Sequence, residues 1–309
     1  MKLVIVAMAC SFTGALANAQ SDDLFTAAKR GDVATVNALL KSGADVNDRK
    51  FTFLDGLGNG GNSTALMEAS YYGHLDVVQA LLAAKADVNA TRSSKGDGDT
   101  ALTLAVQKGH VEVVQALLAA KANIDPPCCS TGALFEATMA RNLDMVKVLL
   151  TAKPDLNRRS KVIRGYTALM WGISQHGLAI ARLLIEAGAD VNLFNDEGVT
   201  ALMLAVQGTR PENLAMVQAL LAAGADVDSR RCGVPLTPVL GRPAEGATAL
   251  GVASAMGNTA AVQALLAAKA DVNLTQCDGN TPLTLALQNN HAEVAEILRS
   301  AIAAAPAVK

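Results

Sequence analysis

Large rings are scarce in this chain: Phe, Trp and Tyr together make up 3% of its 309 residues. The 51% hydrophobic content comes largely from alanine, which lets helices approach closely. No apolar run reaches the length that carries a mature segment across a bilayer. An excess of one charge sign is missing too. The formal net charge of −2 argues against a nucleic-acid binder that works by bulk electrostatics. The chain also lacks a Gly-rich phosphate loop, a nucleophile elbow, a paired His-Glu metalloprotease motif and a Cys-x-x-Cys. Asp97-Gly98-Asp99 lacks the remaining ligands of a calcium loop. These gaps disfavour an enzyme and imply no cofactor.

What the chain does have is repetition. The stretch Thr64 to Asn89, TALMEASYYGHLDVVQALLAAKADVN, returns with drift from Thr100, Thr167, Thr200, Thr248 and Thr281, and in degraded form from Gly132. The shortest steps are 32 and 33 residues. That period reads as two short antiparallel helices and a hairpin loop. Thr64 can cap the first helix, Gly73 breaks it, and Asp76 opens the second helix at the positive end of its dipole. Val77, Val78, Leu81 and Leu82 form an apolar face at helical spacing. A lone helix pair cannot enclose that face, so neighbours must stack.

In Thr-Ala-Leu opening the first helix, Gly-His between helices and Gly-Ala-Asp-Val-Asn leaving the second, the sequence resembles the ankyrin-repeat family. The resemblance implies an all-α solenoid of about eight stacked helix-turn-helix repeats with hairpin loops, over residues 20–303. The repeats begin near 22, 64, 100, 132, 167, 200, 248 and 281. Repeat one has a polar start that suits a cap, and Arg299 replaces the second leucine of repeat eight, as expected where nothing stacks outside it.

Residues 1–19 read as a secretory signal: Lys2, an apolar run from Leu3 to Leu16, then Ala17-Asn18-Ala19. Cleavage near Ala19 would leave a periplasmic or secreted protein without a membrane span. Cys10 as a lipid anchor lacks the leucine usual before it. Residues 304–309 are a tail.

Three stretches break the period. Residues 50–62 and 232–246 enlarge hairpins and, being rich in Gly or Pro, read as loops. Gly208 to Pro211 lengthens the turn inside repeat six. The first two read equally as a working face or as tolerated length drift, the third as drift. Second helices end on Lys85, Lys121 and Lys269 where Gly43, Gly188 and Gly224 stand elsewhere, which predicts left-handed lysines.

His74, His110 and His291 recur in register after the inter-helix turn, which suits a turn hydrogen-bonder better than a metal ligand; His176 lies near that turn too. Cys129, Cys232 and Cys277 share one hairpin position. Repeats of this family stack roughly 10 Å apart, beyond the Cα spacing of a disulfide, so Cys232–Cys277 needs the 232–246 insertion to bend inward. Cys128-Cys129 is either a vicinal bridge or two free thiols.

By the resemblance, partners dock on a concave face made by hairpin tips and the exposed side of the first helices. That places Phe53, Tyr71, Tyr72, Lys108, Met139, Tyr166, Gln175 and Met256 at candidate protein-binding positions, with all three tyrosines among them. Trp171 borders this face, either as a contact or as half-buried packing. Arg158 and Arg159 sit in a basic hairpin that either meets an acidic partner or is merely solvated. The expected function is non-enzymatic binding of a protein partner, an envelope enzyme being one candidate, by a monomer. The alternatives are a thiol-dependent enzyme at Cys128-Cys129 and a passive scaffold.

Overall fold

A computed structural model describes residues 23–53, 60–92, 98–126, 131–232 and 246–304. The expected signal at residues 1–19, the Cys128-Cys129 pair, most of the 232–246 insertion and the last five residues lie outside them. The described residues hold sixteen helices, paired in sequence, and divide into two compact units between Asn123 and Ile124. The first unit contains α1 (Leu24–Arg30), α2 (Val33–Lys41), β1 (Arg49–Phe53), β2 (Gly60–Thr64), α3 (Ala65–Tyr72), α4 (Leu75–Ala83), α5 (Ala101–Lys108) and α6 (Val111–Ala119). The second contains α7 (Ala133–Met139), α8 (Leu143–Thr151), α9 (Ala168–Ser174), α10 (Leu178–Glu186), α11 (Ala201–Ala205), α12 (Pro211–Ala222), α13 (Ala249–Ala255), α14 (Thr259–Ala267), α15 (Pro282–Gln288) and α16 (Ala292–Ala304). Helix pairs therefore number eight, as the period requires.

Six of the eight first helices start where a threonine stands. Thr64 Oγ1 accepts the Met67 amide at 3.3 Å, and the same bond recurs at Thr100, Thr167, Thr200, Thr248 and Thr281. Such a cap contributes about 1 kcal/mol to its helix. Asp23 takes the role in repeat one, whereas Gly132 makes no side-chain cap. The second helices bury Val77, Val78 and Leu81, while Leu82 is half-buried. Arg299, at the equivalent position, is exposed and pairs with Glu296 on its own helix.

The recurrent histidines join neighbouring repeats. Nε2 of His74 lies 3.1 Å from the Lys29 carbonyl oxygen, that of His110 3.1 Å from the Tyr71 oxygen, and that of His291 3.1 Å from the Ala255 oxygen. A carbonyl only accepts, so each ring donates from Nε2. Asn258 does the same in repeat seven, donating to Val206 and Gly208. His176 instead sits at the left-handed turn itself, with φ 59°.

One of the three breaks in the period differs from expectation. The 50–62 insertion is not simply a loop, because β1 and β2 pair antiparallel from Arg49–Thr64 to Phe53–Gly60. Lys50 and Thr52 fall on one side of the ribbon and Phe51 on the other, the alternation that a half-buried strand requires. The turn in repeat six is longer, as expected: residues 206–210 separate α11 from α12, where only 73–74 separate α3 from α4, and α11 has 5 residues while α12 has 12. Pro211 at its first position explains the early start.

Lys85, Lys121 and Lys269 have φ of 65°, 65° and 67°, and Lys153 joins them at 53°. A left-handed backbone costs a non-glycine residue about 1 kcal/mol or more. Lys85→Gly is therefore expected to raise the denaturation midpoint by an increment worth about 1 kcal/mol, measured in urea. An unchanged or lower midpoint would show that the lysine stem offsets the strain.

Candidate functional site

The hairpins that carry the expected contacts are tied together by a backbone ladder. Within a hairpin, Asp87 Oδ1 accepts the Asn89 amide at 3.0 Å, a turn repeated by Asp45, Asp155, Asp190, Asp226 and Asp271. Between hairpins, Asn47 Oδ1 accepts the Asp87 amide at 2.8 Å, and Asn89 the Asn123 amide at 2.7 Å. In the second unit Asp125, Asn157, Asn192 and Asp228 form the matching rungs, at 2.6–3.0 Å. The Asp-Val-Asn motif is thus a turn residue followed by a strut to the next repeat.

Asp228, like Asp125, is a rung with a charge where Asn157 and Asn192 carry amides. Burial is the largest cause raising its carboxyl above the usual carboxylate range, with the Asp271 and Asp226 charges acting in the same sense. The folded state therefore favours the protonated form, and stability falls as pH rises from the ordinary value near 3.8 through the folded value. Asp228→Asn is expected to stabilise the protein at neutral pH by under about 1 kcal/mol, with the gain vanishing below the ordinary carboxylate range. Urea midpoints at the two pH values test this; an equal gain at both would remove the electrostatic cause.

Around the first unit's site, α1 supplies Phe25, Lys29 and Arg30, α3 supplies Tyr71 and Tyr72, and α5 supplies Lys108. Tyr72 is exposed and Tyr71 half-buried, their rings edge-on at 5.0 Å. Lys29 Nζ lies 5.6 Å from the Tyr72 ring centre and Lys108 Nζ 4.4 Å from that of Tyr71. Beneath the β-ribbon Glu68 is 1% exposed, and Thr52 Oγ1 donates to its Oε1 at 3.3 Å. Burial pushes that carboxyl above its ordinary range against the pull of Ser63, Lys29, Thr52 and Arg92. Phe53 is placed by its backbone at the end of β1, opposite Gly60.

In the second unit the expected residues fall into two kinds. Met139, Gln175 and Met256 are exposed at or just beyond the ends of α7, α9 and α13. The others are engaged inside the stack. Trp171 is half-buried, 5.8 Å from the Phe135 ring centre and 6.3 Å from that of Tyr166. Tyr166 is half-buried as well; burial, then the Glu197 charge, holds its phenol above the usual range. Arg158 donates to the Pro126 carbonyl at 3.0 Å, and Arg159 pairs with Asp196 at 2.6 Å. Arg164 pairs with Glu197. The basic hairpin is thus knit to its neighbours by acids and carbonyls.

Three residues that the sequence did not single out also belong here: Phe51, Val162 and Leu287 are exposed. Phe51 could have been found from the alternation of its strand, and Leu287 from its place in the last turn of a first helix; Val162 carries no such signal. Among the described residues, the large exposed hydrophobics are these three with Tyr72, Met139 and Met256. All six lie in a hairpin or at the end of a first helix. None is on a second helix.

Cys232 and Cys277 form a disulfide with a Cα separation of 5.9 Å. Gly246, at φ 65°, closes over both sulfurs, and Arg230 donates to the Thr275 carbonyl. These contacts bring the two hairpins closer than the ordinary repeat spacing. Among the described residues no group of three or more His, Cys, Asp or Glu is placed to hold a metal, and no helix is long and apolar enough to cross a membrane.

The family model for ankyrin repeats in three copies matches residues 14–92, 66–160, 134–231 and 234–306. Ankyrin repeat and SOCS box protein 6 of Pongo abelii is 32% identical over 98 residues, 31% of this chain. The match spans 23% of that relative's own length. The ankyrin repeat domain of Bcl-3, a member of the IkappaB protein family, is 27% identical, with a TM-score of 0.61 over 77% of this chain and 98% of that domain. The human ASB11 ankyrin repeat domain is 22% identical, with a TM-score of 0.56 over 80% and 97%, and supports the fold alone. Threonine caps, glycine turns and an aspartate–asparagine ladder thus recur along a chain that the family model covers almost end to end, and the chain belongs to the ankyrin-repeat family.

Proposed function

We propose that this chain is a non-enzymatic binding protein of the bacterial envelope. It grips a protein partner through its hairpins and the exposed ends of its first helices. Ankyrin repeats are in general protein–protein interaction modules. The observation that carries the reading is the one-sided exposure of large hydrophobic side chains: Tyr72, Met139 and Met256 project from first-helix ends, while second helices expose none. Exposed apolar groups gathered on one kind of surface are typical of association sites. Within each unit the hairpin ladder holds the hairpins rigid, so little ordering entropy is lost on binding.

Two features support export. The Lys2-to-Ala19 segment has the pattern of a cleavable signal. The Cys232–Cys277 bridge suits an oxidising compartment, where disulfides persist. Affinity capture from envelope extract, using the chain and its Tyr72→Ala/Met256→Ala variant, tests the reading. One protein is expected to be retained by the parent and lost by the variant. Equal retention would refute the assignment of the face.

A further inference from the structure

A cleft of about 460 Å³ opens beside the first repeat, and its lining has one chemical character. Phe25, Thr26, Lys29 and Arg30 come from α1, Lys50 from β1 and Tyr72 from α3. That makes three cations and two rings, with no carboxylate among the lining residues. The adjacent cleft of about 360 Å³ differs, because Asp23, Asp45 and Asp48 stand there against Arg49 and Lys50. The acids Asp23, Asp32 and Glu68 near this cleft are already engaged, Asp32 by capping α2. Asp23 caps α1 and pairs with Lys50, and Glu68 is buried under the ribbon. The ammonium groups also sit over rings, Lys29 at 5.6 Å from Tyr72 and Lys50 at 5.8 Å from Phe25.

We propose that this cleft receives an acidic peptide segment of the partner, one that combines carboxylate side chains with an aromatic or aliphatic anchor. The proposal rests on the protein-binding reading above and names the chemistry its first repeats select. Carboxylates would meet the Lys29 ammonium, with Lys50, which already pairs with Asp23, adding its charge, while the anchor packs on Phe25 and Tyr72. A chain carrying net negative charge makes such a local basic cleft a selective one: opposite charge speeds the right encounter, and the remaining surface discourages it elsewhere.

The test uses the full chain and labelled peptides in which Glu alternates with Phe, or Lys with Phe. The Glu-Phe peptide is expected to bind at least about tenfold more tightly than the Lys-Phe peptide, and to weaken as salt is raised. Lys29→Gln is expected to weaken it about threefold and Tyr72→Ala about fivefold, with Arg182→Gln, an equal charge change on an exposed second-helix residue, leaving it unchanged. Because Lys50 also supports the α1 cap, Lys29→Gln alone keeps the test valid should Lys50→Gln perturb the fold. Equal binding of the two peptides, or indifference to Lys29→Gln and Tyr72→Ala, overturns the proposal. Displacement by equimolar inorganic phosphate overturns it too, reassigning the cleft to a small anion. A captured partner lost on Met256→Ala but kept on Lys29→Gln and Tyr72→Ala sinks this inference alone; a partner indifferent to all three sinks the wider reading.

Discussion

Reducing the Cys232–Cys277 bridge is expected to lower the stability of the C-terminal repeats by up to about 4 kcal/mol, the value that chain entropy assigns to a loop of 45 residues. The loop encloses the whole of repeat seven, α13 and α14. In a stack, stability is a sum of repeat and nearest-neighbour terms, so the loss would be local. Urea unfolding followed by circular dichroism should show one transition for the oxidised protein. With reductant, or in Cys232→Ala/Cys277→Ala, an early phase should separate from the rest. Coincident curves would mean that Arg230, Gly246 and the hairpin ladder fix this geometry without the covalent bond.

The second large effect concerns the glycine between α3 and α4. Gly73 has φ 78°, and a Cβ built there would lie 2.6 Å from the His110 ring. Gly73→Ala therefore meets two costs, a left-handed backbone at about 1 kcal/mol and a forced shift of the ring at about 1–3 kcal/mol. The ring cannot shift freely, because its Nε2 donates to the Tyr71 carbonyl. The expected loss is about 2–4 kcal/mol. A double-mutant cycle separates the two: with His110→Ala in place, Gly73→Ala should cost only the backbone part. Strict additivity would show that the two residues are not coupled. The same pairing holds between Gly31 and His74, whose ring stands 2.8 Å from a Cβ built on that glycine. It makes Gly-His a motif shared by two neighbouring repeats rather than a feature of one.

That pairing shows where the sequence is legible and where it is not. Threonine caps, turn glycines and left-handed lysines are local: each is decided by a few neighbours along the chain, and each could be placed by eye. The role of His110 is decided by the Tyr71 carbonyl, 39 residues away, and only the register of repetition hints at it. The basic hairpin is harder still. Arg158, Arg159 and Arg164 look free in sequence, yet their partners Pro126, Asp196 and Glu197 come from adjacent hairpins. Charge composition along the chain does not report pairing across it. The β-ribbon is hard to see in the sequence for a similar reason: its alternation is brief, and the Gly-rich stretch between its strands reads as a loop. The basic cleft combines both difficulties, since Lys50 comes from that ribbon and meets α1 and α3 only after the repeats stack.

Of the candidate binding residues, sequence position predicted exposure well at Tyr72, Met139 and Met256, which follow a fixed offset from the helix start. It left Trp171 open between contact and packing and did not separate Tyr166 from these; both are half-buried, with Trp171 packed against Phe135 of the preceding repeat and against Tyr166. Large aromatic area serves packing and binding alike, and only the neighbours decide which.

The central claim is that hairpins and first-helix ends, not second helices, face the partner. Site-specific photo-crosslinking tests it most directly, with a photoreactive residue placed in turn at Tyr72, Met256, Gln79 and Arg182. Gln79 and Arg182 are exposed on α4 and α10, both second helices. The account predicts one discrete protein adduct from Tyr72 and Met256 and none from Gln79 or Arg182. Adducts from the second-helix positions, with none from the other two, would contradict it.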